Sequence, residues 1–354
     1  MSPITERDFQ SELPLNPAAF ELLSTFFEQG WPDPSKLHHQ SSHLRNLIHT
    51  ALESIAGNLG VAKNELEIVG ELGFGFQIAI SGLLEGSRNS FTFAAIDRQI
   101  VHAFARQHAA RGMNISELTA ESSGVVDYQR SKSESILSWQ STNRETGVIQ
   151  NLPEANSYAS LFADMTASYE IKRLPNNWDS AVWDPRSFGG PQGIAIVGIS
   201  NNGSWRNPGP QLDNRRVFGS YSKPLLLATA VALEQWVKTA ENNYSKLKKL
   251  NEFARQVLTQ RIPELKIAGE LRNSDPRYLA FCIPGLVAEE LLRKVESAGF
   301  LIDAGSACGG GALAPSHVLT AMGFPLDGNF RLTFKPEQSV ESVNDLVERI
   351  AASA

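Results

Sequence analysis

The chain has 354 residues, 42% of them hydrophobic, with a formal net charge of −6. That length can bury a large core, and the lack of any lysine and arginine run argues against nucleic acid as a partner. Residues 1–16 hold no apolar stretch of the signal-peptide kind, no run of about 18 apolar residues offers a membrane span, and two cysteines are too few for a disulfide scaffold. The expected compartment is therefore the cytoplasm.

Residues 1–16, polar and proline-punctuated, read as an N-terminal arm. Apolar residues at helical spacing then predict helices over residues 18–27, 44–59 and 100–108. Between and after these lie short apolar runs of strand character at residues 90–96, 135–139, 160–164 and 194–199. Strands of this kind alternating with helices are the pattern of a parallel sheet covered on both faces. Residues 224–258 predict one helix or two, rich in Leu, Ala and Lys. After Pro263 the order is a strand at 278–283, a helix at 287–298, a strand at 300–302 and a last helix at 340–351, which fits a smaller α+β unit. The expected organisation is an arm (1–16), a large α/β domain (17–258) and a small C-terminal domain (259–354).

Residues 301–323, LIDAGSACGGGALAPSHVLTAMG, place Cys308 between small residues and three glycines, just ahead of a helical pattern. An open loop is where a reactive thiol sits, whereas a structural cysteine is more often walled in by bulky apolar residues. Cys282, in the strand-like AFCIPG, reads as that second kind. His39 and His43 have the helical spacing of a metal pair, with His38 beside them. No carboxylate or cysteine at ligand spacing accompanies them, so they read as surface histidines and no metal site is expected.

Several segments together resemble the cysteine desulfurases, pyridoxal-phosphate (PLP) enzymes of the class V aminotransferase fold (aspartate aminotransferase-like, fold type I). They are DPSKLH at 33–38, NRETGVIQ at 143–150, WDPRSFGGPQG at 183–193, the pair Arg215–Arg216, the Cys308 loop and NFRLTF at 329–334. They follow one another in the family's order over most of the chain. The resemblance implies a mostly parallel large-domain sheet and a homodimer in which Arg215–Arg216 and the loop carrying Ser220 approach the other subunit's site. It also implies roles: Asp164 on the pyridine nitrogen, Asn143 beside substrate and cofactor, Arg331 clamping a substrate carboxylate, and Cys308 as the nucleophile that becomes a persulfide. His317 matches a position that is mainly structural. The residues alone also allow a helix cap for Asp164, a turn residue for Asn143 and half of an ion pair for Arg331, and for Asp164 the cofactor reading is the favoured one.

The same alignment exposes four departures. Ser187 stands where the resemblance expects the Schiff-base lysine, and a hydroxyl cannot form an imine with an aldehyde. No lysine lies between Arg173 and Ser222; Lys172 and Lys223 are the nearest. Gly73, in GELGFGFQ, replaces a threonine of the phosphate site, Arg98 replaces the ring-stacking histidine, and Ala167 replaces a glutamine that contacts the cofactor. Trp183 is close enough in sequence to fill a vacated pocket. The leading expectation is a desulfurase-like protein that has lost PLP-imine chemistry and serves a regulatory or sulfur-acceptor partner through Cys308. The alternative is an active cysteine desulfurase holding PLP non-covalently or through Lys223. A third is a pocket for another anion, built on the helix start near Gly75 and on Arg98.

Overall fold

Helix α1 (Pro17–Gln29) starts where the Asn16 side chain accepts from the Ala18 amide and a proline fills the first turn, where its missing N–H is no loss. In the computed structural model, which describes residues 6–10, 13–85, 87, 89–211, 216–218, 220–305, 316–325 and 327–353, α1 and α2 (His39–Leu59) pack along one long helix, α5 (Lys223–Arg261). That helix runs unbroken for 39 residues and settles the choice between one helix and two. Ser222 caps it by accepting from the Leu225 amide.

Seven strands form the large sheet: β1 (Leu66–Val69), β2 (Phe91–Ala94), β3 (Ile115–Leu118), β4 (Ile136–Gln140), β5 (Ser160–Asp164), β6 (Ser180–Trp183) and β7 (Ala195–Ile199). Their order is β1-β7-β6-β5-β4-β2-β3. Strands β3, β2, β4, β5 and β6 are parallel, as expected; β7 is antiparallel to β6 and β1 to β7. The reversal has a local cause. The connection from β6 to β7 contains only a 3-10 turn, Pro185–Phe188, and is too short for a parallel crossover. Helices α3 (Leu72–Leu84) and α4 (Gln99–Ala110) cover one face through Phe76, Ile80, Phe93, Phe162 and Val182. The other face, with Leu161, Ala163, Trp183 and Ile196, packs against α1, α2 and α5. Burial on both faces explains the unbroken apolar runs of β5 and β7.

A second sheet, all antiparallel, takes the order β10-β11-β9-β8 from β8 (Lys266–Ala268), β9 (Tyr278–Cys282), β10 (Asp303–Ala304) and β11 (Asn329–Thr333). The later helices are α6 (Ala288–Ser297), α7 (His317–Ala321) and α8 (Val340–Ala351). The strand expected at 300–302 is displaced to β10 because Leu301 is engaged elsewhere. Its carbonyl accepts from the Phe9 amide at 2.8 Å and its amide donates to the Arg7 carbonyl at 3.0 Å. Residues at the start of the chain therefore lie on this small sheet, with Phe9 fully buried against Phe300 and Phe334. Among the described residues no helix is long and apolar enough to cross a membrane.

The two sheets meet at a buried ion pair just before β9. Arg277 Nη2 donates to Asp275 at 2.6 Å, and both side chains are almost wholly buried. The guanidinium also donates through Nη1 to the Ser187 carbonyl and through Nη2 to the Ala167 carbonyl, both at 2.7 Å. The rings of Tyr169, Trp236 and Tyr278 surround it. Replacing Arg277 by methionine leaves Asp275 buried without its counter-charge and two carbonyls unbonded. Removing one partner of a buried pair costs about 3–5 kcal/mol, so equilibrium urea unfolding of Arg277→Met should show a loss of that size. Arg277→Lys should lose less, keeping the charge but not the fork. A loss in Arg277→Met below about 1 kcal/mol would mean the pair contributes little to joining the sheets.

Candidate active site and its cofactor fit

Strands β2, β4, β5 and β6 are parallel, so the loops at their C-terminal ends gather on one edge of the sheet, where ligands of open α/β sheets bind. With the start of α3 and residues of β11 and α7, these loops bound a pocket of about 460 Å³. Among the described residues it is lined by Glu71, Gly73, Phe76, Asp97, Arg98, Gln140, Asn143, Arg144, Glu145, Arg186, His317 and Arg331, together with apolar neighbours. Gly73, Arg98, Asn143 and Arg331 are thus brought together. Asp164, buried at the end of β5, lies behind the pocket and connects to it through Thr166. Ser187 does not line it. Ser220 is exposed, and a β-carbon at Gly70 would stand 3.3 Å from its carbonyl oxygen. Cys308 and Arg215 lie outside the described residues.

Arg216 does not reach outward. Its amide donates to Glu67, Nη1 to the Ile199 carbonyl and Nη2 to the Asn64 carbonyl, which ties the β1 edge to the loop after β7. Trp183 does not fill the pocket either. It alternates to the opposite face of β6, and its Nε1 donates to the Ile171 carbonyl at 3.0 Å. His317, as expected, is structurally engaged: Nε2 donates to the Asp97 carbonyl at 2.9 Å. Cys282 is buried, its thiol pushed up to about 11 by burial.

The chemistry of a PLP site requires an amine, a carboxylate open to the pyridine nitrogen, and donors for a phosphate. The residues present do not fit. Ser187 Oγ donates to the Asp184 carbonyl at 2.8 Å, inside the 3-10 turn, and no lysine lines the pocket among the described residues. Lys223 opens α5 with its ammonium 3.4 Å from the centre of the Tyr221 ring, and exposed Lys172 packs on Gly60. Asp164 Oδ1 already accepts from the Thr166 hydroxyl at 2.6 Å and its amide at 2.9 Å, and Arg98 Nη1 donates to the same hydroxyl at 2.6 Å. This is a turn after the strand and not a helix cap. Glu71 accepts from the Gly73 and Phe74 amides at the start of α3.

Most charges in the pocket wall are matched within the chain. Buried Asp184 receives Arg186 at 2.9 Å and Arg144 at 3.4 Å, and Arg331 meets Asp303 at 2.8 Å. Asn143 donates to the Ile96 carbonyl and accepts from the amides of Glu145 and Thr146, so it folds its own loop while facing the pocket. Two acids stand out. Burial pushes Asp97 up to about 7, opposed by hydrogen bonds from the Ala94 amide and Gln140 Nε2. Burial also raises Glu145, against the pull of Ser316, Arg331 and His317. Sequence reasoning missed Glu71, Asp97, Glu145 and Thr166. The signal for Thr166 was its place two residues after a strand-ending aspartate, the spacing of a side-chain turn.

No family model matches the chain. Among curated proteins it is 24% identical over 375 residues to the cysteine desulfurase IscS of Dictyoglomus turgidum, covering 97% of this chain and 93% of that one. It is 27% identical over 365 residues to a cysteine desulfurase of Gluconacetobacter diazotrophicus, covering 96% and 91%. Among solved structures it matches a NifS-like protein with a TM-score of 0.85, 18% identity and 98% coverage of both chains. A NifS-like protein from Rickettsia africae matches with a TM-score of 0.79, 20% identity and 97% coverage of both. Over nearly its whole length the chain is thus similar in sequence to cysteine desulfurases, and it has the fold of the NifS-like structures, that of the class V aminotransferases.

Proposed function

We propose that this protein is a cysteine desulfurase homologue without lysine-imine catalysis, acting in the cytoplasm as a homodimeric sulfur acceptor or regulatory partner through Cys308. The observation that carries this reading is a pocket that no lysine lines among the described residues, with the Ser187 hydroxyl outside that lining and bonded to the Asp184 carbonyl. Without an amine there is no group to exchange onto a substrate and none to move the Cα proton. The rival reading, an active enzyme with non-covalent PLP or Lys223 as the imine former, draws support from Asn143 and Arg331 in the pocket wall. Pairing of two copies is supported by an apolar groove of about 720 Å³ between α3 and α4. Phe74, Ile100, Phe104 and Phe218 line it, and it adjoins the pocket at Gly73 and Ile100.

Incubation with PLP, followed by borohydride and peptide mapping, separates the first two readings. The expected result is no reducible aldimine absorbance and no labelled lysine; a label mapped to Lys223 would restore the enzyme. For sulfur transfer, Cys308 thiolate attacks the outer sulfur of a low-molecular-weight persulfide, the donor leaves as its thiolate, and Cys308 carries the persulfide. Mass spectrometry should find one added sulfur on Cys308, none in Cys308→Ala, and none on Cys282, whose thiol is buried and raised to about 11. Unmodified Cys308 would remove the acceptor role. Light scattering should give twice the chain mass, and Phe218→Glu, at a side chain 49% exposed, should shift it toward the monomer. A monomeric wild type would end the pairing claim.

A further inference from the structure

Helix α3 presents its first amides to the pocket, and the chain meets them with an anion of its own. Glu71 Oε1 accepts from the Gly73 amide at 2.7 Å and Oε2 from the Phe74 amide at 2.8 Å. Glutamate is an unusual residue for this task, which Ser, Thr, Asp and Asn usually perform. Its longer side chain must fold back over residue 73, where a β-carbon would stand 3.0 and 3.2 Å from the two carboxylate oxygens. The glycine at 73 is therefore what gives the carboxylate room, and Glu71 and Gly73 act as a unit. Arg98, in the same pocket wall, donates to Thr166, which donates in turn to Asp164.

We infer that Glu71 is a specificity-determining residue that closes this pocket to phosphorylated ligands. It holds a tethered carboxylate on the backbone donors that a phosphate would need. The inference rests on the reading above, that the pocket performs no PLP chemistry, and it narrows the ligand class to small molecules without a phosphate. A free anion must displace a group already in place, at the amides and at the positive end of the helix dipole. A tethered group competes at a high effective concentration.

The test uses the full chain and inorganic phosphate as the probe, with thermal unfolding and titration calorimetry at matched ionic strength. Glu71→Ser keeps a good capping oxygen but removes the charge and reach, whereas Glu71→Asp keeps a carboxylate on the amides. Wild type and Glu71→Asp should show no saturable phosphate binding, and Glu71→Ser should gain it, with affinity at least about tenfold above wild type. Gly73→Ala, which crowds the carboxylate without touching it chemically, should move in the same direction as Glu71→Ser. Phosphate binding to wild type as tight as to Glu71→Ser, or no gain in either Glu71→Ser or Gly73→Ala, would overturn the inference. Phosphate forms no imine, so this result can fail while the absence of a labelled lysine stands, and the reverse.

Discussion

A single buried guanidinium ties the small sheet to two loops of the large one. Arg277 sits at the edge of the small sheet, yet it donates to the carbonyls of Ser187 and Ala167, which belong to loops after β6 and β5. Taking this charge out of water is costly. The cost is offset by Asp275, by hydrogen bonds from Nε and both terminal nitrogens, and by three aromatic rings. Both acceptors are backbone atoms, so the clasp is indifferent to which side chain stands at 187. The side chain at 187 can therefore differ without moving the loop that carries it. The fold and the chemistry are separable at this point of the chain for a physical reason.

The same separation runs through the pocket wall. Asn143 and Arg331 both face the cavity, and both have structural duties that account for them without a ligand: Asn143 closes the loop after β4, and Arg331 pairs with Asp303 across β11 and β10. The sequence left each of these residues two readings, and the bonds within the chain account for the structural one. Presence of a family residue in the wall is therefore weak support for retained chemistry, whereas the bonded state of Ser187 and Asp164 bears on it directly. The Ser187 hydroxyl is committed to the Asp184 carbonyl, and Asp164 Oδ1 already accepts two hydrogen bonds from its own loop.

What was legible in the sequence follows the physics of burial. The amphipathic helices over 18–27, 44–59 and 340–351 announced themselves because each turns one apolar stripe to a core. Strands β5 and β7 did so because both of their faces are buried. Strand β3 was not legible, being half exposed with Glu117 in its middle, and neither was four-residue β6, whose run is no longer than a turn. At the site, motifs located Asp164, Asn143 and Arg331. Arg277, within SDPRY, looks like a surface turn and becomes a core residue only when two sheets close over it. Glu71 was obscured for a similar reason: its role depends on the empty space above Gly73, which only the folded helix start creates.

A pocket that gives up a charged ligand inherits a set of problems in stability, independent of any new function. Asp164 is 5% exposed, and a buried group left without a partner costs about 1–3 kcal/mol, more when it is charged. The first amides of a helix are likewise open donors in need of an acceptor. In a domain whose whole stability is about 5–15 kcal/mol, two such debts are a large fraction. Thr166, itself held by Arg98, answers the first, and Glu71 the second. Arg98, Glu71 and Gly73, separated in the sequence, meet in the wall of one pocket and are bonded within the chain.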